Sequence, residues 1–300
     1  MKILDLHVHS HMSNTTTPEQ YLARLEEAGI YGSGVFSPAP GRGDAAKDRL
    51  DHVLNFCKDH PDRLFPVFFI GPHEDGAIEA AQEAIERGIA AFKIICGDHY
   101  CYDDETMALL HVIAKGGKAV CFHTGILWNG KPSGHFNRPC NWEYMLNVPG
   151  LRFSAGHCGW PWIDECIALY GKIQNAHNNR SDLCEMFLDL TPGTPVAYRR
   201  ELLTKLFTVG YDVKNHILFG TDSNTSDYSV EWARKWQDID NGLYEELGVD
   251  SKTRNGIYWD NILRFFGKKK ESVKLASLTS DGREISPAYS TGWSSKNPSE

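Results

Sequence analysis

Short apolar blocks separated by longer amphipathic ones run along most of this chain. The first block, Ile3 to His9, alternates with period two, as a strand with one buried face does. Thr17-Pro18-Glu19-Gln20 then reads as a capping box with proline in the first helical turn, which predicts a helix over 18–28. Strand-like runs recur at Gly34 to Ser37, Leu64 to Ile70, Ala90 to Ile95, Lys118 to His123, Leu151 to His157, Glu185 to Leu190 and His216 to Thr221. Helix-compatible stretches lie between them, at Ala45 to His60, Asp75 to Arg87, Asp103 to Lys115, Pro161 to Asn175 and Pro195 to Val209. Strands alternating with helices imply parallel pairing through right-handed crossovers. Eight such units close a barrel, so the predicted fold is an α/β (β/α)8 TIM barrel, with an open doubly wound sheet as the alternative.

Two further helical patterns follow, at Val230 to Leu247 and Ser251 to Phe266. Lys268-Lys269-Lys270 then opens a serine-rich polar stretch. The expected organisation is therefore a catalytic barrel over 1–267 and a loosely ordered polar tail over 268–300. The length of 300 residues suits one barrel, which takes roughly 250 residues. A net charge of −8 gives no general attraction to nucleic acid or anionic lipid, so the expected partner is a small-molecule substrate. No apolar run approaches the roughly 20 residues needed to cross a bilayer. Eight cysteines without a CxxC pair, and no secretory leader, suggest reduced thiols in a cytoplasmic protein. A homodimer is the base-rate expectation.

Chemistry concentrates at strand ends. In Leu4-Asp5-Leu6-His7-Val8-His9 a regular strand would put Asp5, His7 and His9 on one face. By itself an HxH pair is more often packing than ligation. His123 ends the fifth strand run, His157 the sixth and Asp222 follows the eighth, and in a parallel barrel these ends converge at one mouth. Imidazoles and a carboxylate gathered there suit zinc or a similar divalent ion, and a coordination position left to water would make the site catalytic.

This ordered set resembles the amidohydrolase superfamily. The opening Ile-Leu-Asp-Leu-His-Val-His, the Leu-Phe-Gly-Thr-Asp-Ser segment and the Asn-Ile-Leu-Arg-Phe-Phe-Gly ending at 261–267 resemble its amidohydrolase 2 branch. That branch holds metal-dependent hydrolases and non-oxidative decarboxylases similar to aminocarboxymuconate-semialdehyde and resorcylate decarboxylases. The resemblance implies His7, His9, His123 and Asp222 as ligands of one divalent metal, zinc first with manganese or iron possible. It implies His157 as the group that polarises or protonates substrate, with Asp222 alternatively the general base. The implied activity is hydrolysis of an amide, lactone or ester-like bond. Decarboxylation of an aromatic or unsaturated acid uses the same ligands, and a non-catalytic ligand-binding barrel is the reading from another class.

Several residues are ambiguous. Lys93 lies inside an apolar strand run and needs a partner if buried; a structural ion pair with Asp5 is preferred to a carbamylated lysine bridging two metals. His11 reads as a loop histidine. His73, Glu74 and His99 could line the pocket, as could Trp128, Trp142, Trp160 and Trp162. The 127–139 segment is long enough to be a lid or an oligomer contact. Arg42, Arg49 and Arg138 are the arginines considered for gripping a substrate carboxylate, although surface exposure is the ordinary fate of each. Cys96, Cys121 and Cys158 read as buried structural thiols.

Overall fold

The computed structural model describes residues 1–192 and 195–268. Apart from Lys268, the polar tail expected over 268–300 lies outside the described residues. Nine strands form one sheet: β1 Leu4–His9, β2 Gly32–Phe36, β3 Leu64–Phe69, β4 Ala91–Ile94, β5 Ala119–Phe122, β6 Arg152–Ala155, β7 Glu185–Asp189, β8 Ile217–Leu218 and β9 Ser223–Asn224. They pair in parallel in the order β8-β7-β6-β5-β4-β3-β2-β1-β9. The two short strands are halves of one broken eighth strand. β8 pairs with β7, β9 pairs with β1, and between them Phe219 O accepts from Leu6 N–H at 3.0 Å. That bond closes the (β/α)8 barrel.

Helices α1 Pro18–Glu27, α2 Ala46–Cys57, α3 Ala77–Glu86, α4 Asp104–Lys115, α5 Ile163–Asn179, α6 Val196–Thr208 and α7 Val230–Glu246 wrap the sheet. The predicted capping box is formed: Thr17 Oγ1 accepts from Gln20 N–H while the Gln20 side chain accepts from Thr17 N–H. Two short helices, α8 Ser251–Asn255 and α9 Asn261–Phe265, flank a π turn over Gly256–Asp260 where one continuous helix was expected. The motif at 261–267 turns out to close the barrel floor. Ile262, Phe265 and Phe266 pack with Leu4, Phe65 and Phe187, and Asn261 donates to the Lys214 and Ile217 carbonyls. Among the described residues no helix is long and apolar enough to cross a membrane.

One irregularity in β1 decides what the mouth contains. The pairing of β1 with β2 shifts register between Asp5 and Val8. Leu4 and Leu6 belong to the core inside the barrel, whereas Ile3 and Val8 belong to the layer between sheet and helices. After the shift His7 faces inward beside His9 and Phe36, with ring centroids 5.1 and 4.5 Å away. A bulge reverses side-chain parity in this way. The expectation that Asp5 shares the histidine face is therefore corrected. Asp5 points outward, where it accepts from His7 N–H, Thr221 N–H, Thr221 Oγ1 and Tyr228 Oη at 3.1, 2.9, 2.6 and 2.8 Å. It ties β1 to the broken eighth strand.

Candidate metal centre

The C-terminal mouth opens into a cavity of about 250 Å³ lined by His7, His9, Lys93, His123, His157 and Asp222, with Ile95, Ile126, Leu127, Trp128 and Trp160 on its apolar side. Three of these converge closely. One ligand atom from each of His7, His9 and Asp222 lies within 4.8 Å of the other two. Asp222 Oδ1 stands 3.6 Å from His7 Nε2 and 3.3 Å from His9 Nε2. Two imidazoles and a carboxylate at such spacing fit a divalent transition metal, whose tetrahedral ligand atoms stand roughly 3.3 Å apart. The backbone is bent to achieve this. Asp222 has φ 56° and His157 φ 57°, left-handed values that non-glycine residues adopt at a cost of about 1–3 kcal/mol and that cluster at functional sites. Gly220 supplies the needed clearance, since a Cβ there would lie 2.4 Å from Thr191 Oγ1 and 3.0 Å from His7 Cβ.

Asp189, at the end of β7, organises the inner wall. Its Oδ2 pairs with His7 Nδ1 at 3.0 Å, and its Oδ1 accepts from Thr191 N–H at 2.8 Å and from the Thr191 hydroxyl. The Thr191 carbonyl in turn pairs with His157 Nδ1 at 3.0 Å. Both histidines thus give Nδ1–H to the end of β7 or the residues just past it and keep Nε2 for the cavity. Such outer partners fix tautomer and ring orientation. Sequence reasoning passed over Asp189, which stands one residue inside the apolar run Glu185 to Leu190 although the strand itself ends on it.

Burial sets the charges. Desolvation lowers His7 to about 4, assisted by Lys93 and opposed by Asp189. His157 and His123 are also lowered, chiefly by burial. All three are neutral at pH 7 and have lone pairs to offer. Burial would raise Asp222, but the His9 hydrogen bond and the surrounding imidazoles hold its carboxyl well below the usual carboxylate range. Burial likewise lowers the Lys93 ammonium, opposed by Cys121, Asp189 and Asp222. Lys93 is 1% exposed, its Nζ lies 5.5 Å from the centre of the Phe36 ring, and among the described residues it forms no ion pair. The expected pair with Asp5 does not form, because the β1 bulge puts that carboxylate on the other side of the sheet.

The remaining expectations divide. His123 lines the cavity edge-on to His157 at 5.0 Å, but its Nε2 lies 3.2 Å from the Ile126 carbonyl and it stands outside the tight group of three. His11 pairs with Asn224 Oδ1 at 3.0 Å. Glu74 binds Arg49 through both oxygens, and Arg138 pairs with Glu165. No arginine lines this cavity among the described residues. Trp128 and Trp160 do line it, whereas Trp142 is buried against Phe122 and Trp162 lies under Arg138. Cys96, Cys121 and Cys158 are buried free thiols, and burial pushes Cys121 up to about 12.

A parallel barrel with histidines and an aspartate from strands one, five, six and eight converging on one mouth defines a class of metal-dependent barrel enzymes. The family model described as Amidohydrolase matches residues 5–268, and the chain belongs to that family. No curated protein sequence matches it. Among solved structures it is similar to a probable 2-pyrone-4,6-dicarboxylic acid hydrolase from Acinetobacter baumannii, with 13% identity, TM-score 0.61 and coverage of 89% of this chain and all of that one. It is similar to a 2,6-dihydroxybenzoate decarboxylase from Rhizobium at 14% identity and TM-score 0.61, covering 89% and 98%. It is also similar to a dihydroorotase from Campylobacter jejuni at 13% identity and TM-score 0.55, covering 90% and 84%. At such identities the likeness concerns the fold.

Proposed function

We propose that the protein is a metal-dependent hydrolase that cleaves an amide, lactone or ester-like bond in a small molecule bearing a carboxylate. The observation that carries the reading is the convergence of His7, His9 and Asp222 in a cavity that also holds Lys93, which forms no ion pair among the described residues. His7, His9 and Asp222 would hold a single divalent ion, zinc by preference, with His123 from the same cavity as a further donor. The ion supplies Lewis acidity and lowers the pKa of a water at the site. Asp222, ionised between the imidazoles, takes the proton of the attacking water. His157, its Nδ1–H given to the Thr191 carbonyl, presents an Nε2 lone pair to the cavity; it would donate to the oxygen where negative charge develops only after taking up a proton there, as an imidazolium. Lys93 meets the substrate carboxylate, whose charge adds a direct partner to the more distant support of Asp189 and Asp222. Ile126, Leu127 and Trp160 exclude water from the apolar side.

Decarboxylation is the second reading, and the same lysine favours it. An ammonium next to the ligand set would hold a carboxylate where it can leave as carbon dioxide. The test compares two substrate sets, carboxylated lactones and amides against aromatic acids, with metal content measured in parallel. Hydrolysis with no release of carbon dioxide is expected from protein carrying about one ion in this pocket. Lys93→Met should raise KM about 10–100-fold for the carboxylated substrate and leave an uncharged analogue little changed, while Lys93→Arg should recover part of the loss. Equal effects on both substrates would overturn the anchoring role, and carbon dioxide release alone would exchange the first reading for the second.

A further inference from the structure

A second group of ligating side chains stands apart from this cavity. His73 lies in the loop between β3 and α3, His99 in the loop between β4 and α4, and Asp103 is the N-cap of α4. One ligand atom from each lies within 4.8 Å of the other two. His73 Nε2 is 2.9 Å from Asp103 Oδ2, and the two imidazole rings lie 4.2 Å apart at 34°. The other Asp103 oxygen is already used, accepting from Thr106 N–H at 2.8 Å, which fixes the carboxylate in place.

A surface hydrogen-bond cluster would account for the His73–Asp103 contact but leaves His99 unexplained. His99 Nδ1 pairs with Asp98 Oδ1 at 2.9 Å, so its proton is committed to that carboxylate and Nε2 is left with a bare lone pair. That Nε2 is buried and has no hydrogen-bond partner. A buried acceptor without a donor is costly, and an imidazole whose Nδ1–H is held by a carboxylate is the arrangement found behind metal-bound histidines. Opening the His73–Asp103 gap from 2.9 Å to the roughly 3.3 Å of a tetrahedral ligand pair takes only a small side-chain movement.

We propose that His73, His99 and Asp103 form a second divalent metal site of zinc type, which staples the loops that follow β3 and β4. Two imidazoles with one carboxylate select a transition ion over magnesium or calcium, which prefer all-oxygen sites. The partly exposed His73 leaves the remaining coordination to water. The staple bears on the rim of the mouth. Tyr100, next to His99, packs on Tyr102 and on Phe136 at 4.9 Å each, and Phe136 belongs to the same long segment after β5 as Leu127 and Trp128 of the cavity.

The test is a zinc titration of the full-length, metal-stripped protein, followed by calorimetry and by elemental analysis after gel filtration. Two ions per chain are expected for the parent, one for His99→Ala, one for His73→Ala and one for a His9→Ala/Asp222→Ala double variant. Asp103→Asn, which keeps the helix cap, should weaken the second ion at least tenfold. Circular dichroism verifies folding in each case, and His73, at the surface, is the variant least able to disturb the core. Retention of both ions in His73→Ala and in His99→Ala, or no ion bound by the folded double variant, would overturn the proposal. Failure of the cavity to bind zinc would instead appear as one ion in the parent and in the double variant and none in His99→Ala.

Discussion

Two groups of two histidines and one aspartate stand above the same barrel, and each keeps one imidazole by its Nδ1 against a carboxylate. In the cavity the pair is His7 with Asp189, at 3.0 Å and 1% and 0% exposed; in the loops it is His99 with Asp98, at 2.9 Å and 12% and 82% exposed. Donor types and distances are nearly the same, so the surroundings make the difference. The inner group is carried by strand ends and backed by the hydrogen-bond chain through Asp189 and Thr191. The outer group is carried by loops and backed by a carboxylate in water. Rigid, dry positioning suits chemistry on a bound molecule, whereas an open loop site suits holding two segments together.

The sharpest separation should come from Asp222→Ala. Losing the carboxylate beside His7 and His9 should lower kcat/KM about 10³-fold or more and remove the cavity ion, because the proposed function assigns both ligation and proton transfer to it. If the variant kept full activity, the inner group would lose its catalytic reading altogether.

Acid should then distinguish the inner group by its effect on stability. In metal-stripped protein His7 titrates near 4 when folded and near 6.5 when unfolded. Its pKa is lowered by folding, so the unfolded state binds the proton first and stability falls as pH drops from about 6.5 toward 4. The shift corresponds to about 3 kcal/mol for His7 alone, with His123 and His157 acting in the same direction. Urea denaturation across this window should show that loss, and His7→Gln should flatten it by close to one proton. An unchanged slope would mean that His7 is not buried neutral.

Between these groups lies a lesson about legibility. The strand-end rule picks out His7, His9, His123, His157 and Asp222, which line one cavity, because the pattern of apolar runs reports where strands stop. Asp189 escaped it because Leu190 extends the apolar run one residue past the end of the seventh strand. The β1 bulge was hidden, since no glycine or proline in Leu4 to His9 marks the parity change. The pairing of Lys93 with Asp5 fails for the same reason, since Lys93 faces the cavity and Asp5 the outer side of the sheet. The outer group was out of reach for another reason: His73, His99 and Asp103 come together only through the packing of two loops, which carries no periodicity. The 261–267 motif was legible as family resemblance but not as the floor of the barrel.

Asp189→Asn should weaken zinc in the cavity about 10–100-fold. The amide can place an N–H against His7 Nδ1, which would turn the ring's proton to Nε2 and spoil the ligand. The same substitution at Asp98 is the finest test of the comparison. Asp98→Asn presents the same chemical change to His99, but solvent surrounds the side chain and water can accept the Nδ1 proton in place of the lost carboxylate. The expected loss in affinity at the loop site is therefore below about tenfold, smaller than at Asp189, and it should shrink further with added salt. Zinc titrations of both variants at two ionic strengths read this directly. Equal losses would show that burial contributes nothing to the inner pair, and the contrast drawn between the two groups would rest on ligand position alone.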